Sequence, residues 1–579
     1  MKKAYPSFRA SAVSATLLLL PGLAAAQAPT ITGLTPGRNA NNAPQDGPVT
    51  VTFSQPVTGA SNVRVFTNQR RGQRAGTATG DGTTQVSFQP SQRYAPGEQV
   101  SVTVPATVRG TGAGTPTTAG AVYQFRAATG AGGASAVFGG TSGFSSISFN
   151  GYKAPAVADV NNDGNLDLLV TQLGYQVSLC LGDGQGGLGA PTPVQGGLQS
   201  DITMADVNND GNLDMIISGF RPRSSPSVFV CLGNGLGGFG ESTAFAPNSV
   251  GQVRVGDVNA DGNLDIVAVA RLASQPTLTL CVRLGNGQGS FAAGPNVALD
   301  PDARSFHLAD FNNDGQLDCL VENEITNTFK SYLGNGQGDF TLNNTTAVAR
   351  LSTNEVADVT GDGNLDLLMA DGTAGAVRLL PGTGQGGFGT EISLPLPGAS
   401  TVHAADVNND GRLDILANYN NGPAGAGLAR WLNQSGSAFA PPILMTNCAG
   451  TYLTTGDMNN DGALDVMLTD RGISGTIPNV KVRLNNAVLT TRPAANPLNA
   501  TCYPNPVHGT AHVVLPQGAT KGLQAEVYNT LGQCVYYKQL NAVLPGATAT
   551  LDVSTLSPGL YTLRLTADKR TATHQLVVE

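Results

Sequence analysis

The chain has 579 residues, enough for several domains each with its own core. Charged residues make up 12% and glycines number 74, against usual shares of ~25% charged and ~7% glycine, so tight turns between short strands replace long solvated helices. The net charge of −8 comes with no basic helix or arginine-rich run, which argues against nucleic acid as a partner.

Residues 1–26 read as a secretory signal peptide. Lys2 and Lys3 supply the positive start, Val13 to Leu23 a short apolar core, and Ala24-Ala25-Ala26 a small-residue cleavage site before Gln27. That core is too short to cross a bilayer, and no later stretch reaches ~18 apolar residues, so no transmembrane segment is expected. Seven cysteines in an exported chain cannot all pair internally. Cys180, Cys231 and Cys281 fall at equivalent places in successive repeats. Stacked sheets lie ~10 Å apart, whereas a disulfide needs Cα atoms within ~7 Å. These three are expected as buried small apolar residues. Whether Cys502 and Cys534 pair stays open.

Residues 27–128 show period-two patterning: Val49, Val51 and Phe53 alternate with Thr50 and Thr52, and Val100, Val102 and Val104 with Ser101 and Thr103. Turn signals between such runs predict a β-sandwich. The opening segment PTITGLTPGRNANNAPQDGPVTVTFSQPV resembles bacterial Ig-like domains of the SbsA type. Arg64, Arg70, Arg71 and Arg74 cluster at a hairpin tip and are expected as a solvated turn rather than an anion site. A Gly/Ala linker, Thr129 to Ser135, follows.

From 136 to 486 one nine-residue pattern recurs seven times at intervals of 47 to 53 residues. Position 1 is Asp159, Asp206, Asp257, Asp310, Asp358, Asp406 and Asp457. Position 3 is Asn161, Asn208, Asn259, Asn312, Thr360, Asn408 and Asn459. Position 5 is Asp163, Asp210, Asp261, Asp314, Asp362, Asp410 and Asp461, and position 9 is Asp167, Asp214, Asp265, Asp318, Asp366, Asp414 and Asp465. Position 6 is always glycine and position 8 always leucine. This is the oxygen spacing of a calcium loop: hard ligands at 1, 3, 5 and 9, a backbone carbonyl at 7, and glycine for the sharp turn. Position 7 varies (Asn165, Gln316, Arg412, Ala463), as expected if only its carbonyl is used. A hairpin needs one or two Asn-Asp-Gly residues, not three spaced carboxylates. Hard oxygens without His or Cys favour Ca²⁺ over Zn²⁺. Up to seven Ca²⁺ are therefore expected, one per blade, and they would account for most of the chain's acidity.

Each repeat also holds four short strand-like runs with no helical period, so the expectation is an all-β fold: a seven-bladed β-propeller flanked by an N-terminal Ig-like β-sandwich and a small C-terminal one. The seventh copy stops at Val482 to Asn486 without its glycine turn and last strand. The missing piece stands before the first copy, where Phe138 matches Phe239, Phe291, Phe340, Phe388 and Phe439. An N-terminal strand is thus expected to complete the last blade. The repeats resemble FG-GAP/VCBS repeats of integrin-α-like propellers, and that resemblance implies loops that bind Ca²⁺ and stiffen the blades. Turns such as GDGQGG match G-x-G-x-x-G but open no helix, so they are hairpins and not a dinucleotide site.

After a Pro/Ala/Asn linker, Arg492 to Ala500, residues 500–579 alternate again. CYPNPVHG, VYNTLGQCV, LDVSTLSPGLYTLRL and HQLVVE resemble the type A sorting domain of the type IX secretion system. The resemblance implies handling by the type IX machinery and a secreted or outer-surface location.

His307 and His403 stand three residues before their loops, where other copies have Ala156, Thr203, Arg254, Glu355 and Thr454. These are expected as ordinary variable positions rather than a polar ring near an axis. An enzyme needs a convergent acid/base set, and only Arg254, His307, Glu355 and His403 offer one. The first reading is therefore a non-enzymatic binding or adhesion module for an extracellular protein or glycan. A polysaccharide lyase or hydrolase, or a passive surface spacer, are the alternatives.

Overall fold

A computed structural model describes residues 27–112, 119–130, 138, 155–172, 176–196, 201–219, 227–245, 249–271, 277–350, 353–422, 425–446, 448, 450–469, 480–485, 500–514, 523–529, 534–540, 547–567 and 570–579. Residues 1–26, expected as a signal peptide, and most of both linkers lie outside the described residues. The chain forms two units, residues 1–486 and 487–579.

In the first unit the alternating N-terminal runs form two sheets. One joins Ile31–Thr35, Val49–Thr58, Thr83–Pro90, Gly76–Thr79 and Arg109–Gly110; the other joins Arg64–Thr67, Gln99–Val104 and Ala121–Arg126. Val49, Val51, Phe53, Val100, Val102, Val104 and Phe125 point between them and make the sandwich core.

Among the described residues the repeats follow as seven antiparallel sheets in chain order, six of four strands and the last of three. In each, the run before the loop is the first strand and the run from position 9 is the second, as in Ala156–Ala158 and Asp167–Gln172. These second strands are apolar on both faces, because successive side chains enter different neighbouring cores. Leu169 packs with Met204, Leu213, Met215 and Ile217 of the second sheet. Leu168, one residue earlier, packs with Met458, Met467, Val480 and Val482 of the seventh. Five further clusters join sheets two to three, three to four, and so on to six and seven. The seventh sheet therefore returns to the first.

Phe138 bridges Asn485 in the manner of Phe239 to Gly233, Phe388 to Gly382 and Phe439 to Asn433. It is buried between the sixth and seventh sheets. Residues 139–150, expected as the completing strand, lie outside the described residues. Cys180, Cys231 and Cys281 are buried in the third strand of the first three sheets. Trp431, the single tryptophan, is 2% exposed in the core shared by the fifth and sixth sheets.

The second unit has a three-stranded sheet (Thr501–Tyr503, Thr510–Val514, Thr548–Asp552) and a four-stranded one (Cys534–Leu540, Leu523–Tyr528, Gly559–Ala567, Arg570–Val578). Val513, Val527, Leu551, Leu563 and Leu565 fill its core. Cys502 is a free thiol.

Asn433 shows how neighbouring sheets are pinned. Its buried amide donates to the carbonyls of Val359 (2.8 Å) and Leu413 (3.0 Å), and its oxygen accepts from Gly436 N–H (2.7 Å). Asn433→Ala would leave these groups unanswered, at a cost of about 1–3 kcal/mol each for buried groups. A thermal melt should fall by several degrees, while Leu444→Ala at an exposed site should leave it unchanged. Equal melting temperatures would contradict the assignment.

Candidate functional site

The seven loops share one hydrogen-bond scheme. Position 1 spends one carboxylate oxygen on the N–H of position 5 and the other on the N–H of glycine 6, as in Asp159 with Asp163 (3.1 Å) and Gly164 (3.0 Å). Glycine 6 has a positive φ, 90° at Gly164, which explains why nothing larger stands there. In six copies the position 3 amide donates to the outer oxygen of position 5, for example Asn161 to Asp163 at 2.9 Å. Position 5 is exposed in all seven copies.

Position 9 does something that spacing alone does not convey. All seven of these aspartates have 0% exposure. In each, one oxygen accepts a loop N–H and the other accepts the N–H at the residue that opens the next turn. Asp214 takes Val207 (2.9 Å) and Gly233 (2.7 Å), and Asp465 takes Met458 (2.9 Å) and Asn485 (2.7 Å). In the fifth copy the loop donor shifts to Thr360 N–H (2.8 Å), whose hydroxyl also turns to Asp366 (3.4 Å). Position 9 thus ties first strand, loop and third strand into one unit.

Burial pushes these carboxyls up: Asp167 and Asp366 to about 6, Asp214, Asp318, Asp414 and Asp465 to about 7, and Asp265 to about 8. Position 1 is raised by the same cause in every copy. Two buried acids and a third nearby call for a counter-charge. Among the described residues no three His, Cys, Asp or Glu side chains are grouped as a ready metal cage. The donor chemistry nevertheless fits a hard cation. Each carboxylate has about four lone-pair sites and its backbone bonds leave some free, with the position 3 oxygen and the position 7 carbonyl alongside. Bound there, Ca²⁺ would supply charge compensation and cross-linking, not chemistry on a substrate.

Positions 4 and 7 also act, which the variability of position 7 had hidden. Asn162, Asn209, Asn313, Asn409 and Asn460 at position 4 are left-handed, with φ between 56° and 60°. Four of them donate to position 7 of the next sheet: Asn162 to Asn212 (2.9 Å), Asn209 to Asn263 (3.1 Å), Asn313 to Asn364 (2.8 Å) and Asn460 to Asn165 (2.8 Å). Where position 4 is Ala260, Gln316 of the next copy donates instead to the Gly120 carbonyl of the N-terminal domain (2.7 Å).

That domain sits on the loops. Arg38 pairs with Asp310 (2.5 Å), Gln73 N–H donates to Asp206 (2.9 Å), and Thr129 donates to Asp406 (3.3 Å). Thr103 bonds Asp257, and Asn41 donates to the Asp358 carbonyl (2.7 Å). Asp159 N–H donates to the Gln69 carbonyl (2.7 Å), and Gly130 N–H to the Gly462 carbonyl (2.6 Å). Every loop is touched. Within the arginine cluster Arg71 is exposed, as a solvated turn would have it, but Arg70 donates to Asn460 (2.8 Å) and Arg74 is buried. Arg74 is 5% exposed and donates to the carbonyls of Arg70, Gln92 and Arg93. Buried Glu98 accepts from Gln69, Arg70 and Ala95 N–H groups and so shapes the tip that reaches the repeats.

The residues three before each loop do come together. Ala156, Thr203, Arg254, His307 and Thr454 line one cavity of about 460 Å³, covered by Gln99, Ser101, Thr103 and Gln124 of the N-terminal domain. Glu355 and His403 bond each other (2.8 Å), and His403 also bonds Thr455 (2.9 Å). Arg126 stands 3.8 Å from Glu355, whose carboxyl is lowered, despite burial, by His403 and Arg126. His307 bonds Asn354 (2.6 Å), and burial lowers its pKa to about 4. These positions are thus a mostly polar set, five sharing one cavity and two bonded to each other, and not unrelated variable positions.

Fold and loops together define an all-β repeat protein with a propeller-like body. Its parts match known families: residues 25–127 a bacterial Ig-like domain, residues 159–217, 206–268, 257–321 and 358–417 the FG-GAP-like repeat, and residues 501–579 the secretion system C-terminal sorting domain. The chain carries all three, and the sorting domain marks it for type IX secretion, to the cell surface or the medium. No helix among the described residues is long and apolar enough to cross a membrane. No curated protein matches the chain in sequence. Among solved structures, BBS1N in complex with ARL6DN is 10% identical, covering 59% of this chain and 95% of that one, with a TM-score of 0.41. A functionally unknown protein from Desulfotomaculum acetoxidans DSM 771 is 10% identical (67% and 99% covered, TM-score 0.36). The periplasmic gluconolactonase PpgL of Pseudomonas aeruginosa is 14% identical (58% and 96%, TM-score 0.33). Likenesses this weak say nothing about what this chain does.

Two substitutions test the scheme. Asp214→Asn places an amide donor against a backbone N–H, so it should destabilise by about 1–3 kcal/mol even in chelator. Asn208→Ala removes only a part-exposed amide and should leave chelator-treated stability nearly unchanged; the reverse order would refute a structural role for position 9. At the docking face, a Cβ on Gly72 would lie 1.9 Å from the Asp206 Cβ. Gly72→Ala should therefore raise hydrogen exchange in residues 69–74 and the second loop while sparing the sheet cores. Unaltered exchange there would contradict the docking.

Proposed function

We propose that the chain is a non-enzymatic binding or adhesion module, secreted or held at the outer surface, for an extracellular protein or glycan. Its seven blades would be stapled by Ca²⁺, one ion per loop. One observation carries the non-enzymatic part. The acid/base residues before the loops are already committed to partners: His403 on both ring nitrogens, Glu355 to His403, His307 to Asn354 and Arg254 to Asp201 (2.7 Å). Glu355 and His403, the acid/base pair of the set, bond each other and do not line the cavity that Arg254 and His307 line, so a substrate held there would not meet them within hydrogen-bond reach. For the metal, the supporting feature is the recurring set of buried acids with spare oxygen lone pairs. In the fifth loop the set is weakest, since Thr360 turns its hydroxyl to Asp366.

Incubating the purified chain with a panel of polysaccharides, with and without chelator, separates the readings. Retention without product release is the expected outcome. New reducing ends or unsaturated products would replace the binding module with a lyase or hydrolase.

A further inference from the structure

We propose that the cavity between the N-terminal domain and the inner strands holds an uncharged, hydroxyl-rich molecule, such as the end of a neutral glycan. This rests on the binding-module reading and names its site. At about 460 Å³ the space falls within the ~300–1,000 Å³ of small-molecule sites. It would take about fifteen waters at ~30 Å³ each, too many for a few structural ones. It is neither sealed nor a shallow surface depression.

The walls fix the ligand class. Gln99, Ser101 and Gln124 come from the N-terminal sheet, and Thr203 and His307 from the inner strands. Amides and hydroxyls both donate and accept, which suits a molecule whose own groups do the same. The charged side chains at the walls are already answered. Arg254 pairs with Asp201, and Asp257, which accepts from Thr103 and from Gly262 N–H (2.8 Å), would have the Ca²⁺ proposed for its loop as counter-charge. No net charge is left to select an anion or a cation. Gln69, also in the wall, has a buried side-chain oxygen without a partner, an acceptor that a ligand hydroxyl would satisfy.

Isothermal titration of the full chain in calcium-containing buffer, with maltose, cellobiose, lactose and xylobiose against digalacturonic acid, tests the assignment. At least one uncharged disaccharide should bind saturably and digalacturonic acid should not. Ser101→Phe fills the cavity and should weaken that binding at least tenfold with little change in melting temperature. Should that variant fail to fold, Gln99→Ala, which removes one amide, should still weaken binding severalfold. Leu236→Ala, at a side chain 81% exposed, should not. Binding that survives both cavity variants would overturn the site and leave the binding-module reading standing. Failure of every uncharged disaccharide, or preference for the acid, would overturn the ligand class. Cleavage of a disaccharide would instead overturn the non-enzymatic reading.

Discussion

A carboxylate with no exposed surface, obliged to accept two backbone N–H bonds on separate oxygens, is the constraint on which the repeat body rests. An amide could not replace it, because its nitrogen would face one of the donors. The same group fixes where the first strand ends, how the loop turns and where the third strand gives way to its hairpin. Leucine at position 8 then enters the core beside it, as Leu166 and Leu213 do, each nearly fully buried. Repeated seven times, the arrangement yields units that bury both faces only against neighbours, which is why the seventh sheet packs on the first.

The constraint has an electrostatic consequence. Holding position 9 dry and position 1 nearly so concentrates acids where water cannot screen them. Their oxygens are oriented by backbone N–H groups rather than by cations, apart from Arg38 at Asp310. The proposed divalent ion would answer that charge, and the N-terminal domain uses the same surface. It reaches all seven loops with an arginine, amides, hydroxyls and backbone groups. Its Gln99, Ser101, Thr103 and Gln124 also wall the cavity beside the inner strands.

Much of this was legible in the sequence. Strand number, blade-like period and the place of Phe138 follow from local patterns that recur in register, and buried cysteines follow from their strand parity. Other features depend on partners far away in the chain. Arg38 and Asp310 are 272 residues apart, and no local pattern joins them. Arg74 looked like a solvated charge because its partners are carbonyls, which carry no mark in a sequence. Position 7 looked free because only some copies have a position 4 asparagine to engage it; pairing Asn162 with Asn212 in register would have shown the link. The polar set before the loops was visible only as a column of dissimilar residues, since its members bond across copies, as Glu355 and His403 do.

The central claim is that these loops are cation staples of a scaffold. Its most direct measurement is the metal content of the purified full chain, equilibrated with excess Ca²⁺ and freed of unbound ion, alongside thermal melts before and after chelation. The account predicts several calcium ions per chain, up to seven, and a melting temperature that drops on chelation and recovers with added Ca²⁺, because an ion bound only to the folded state stabilises it. A chain that retains no calcium and melts at the same temperature in chelator would contradict it.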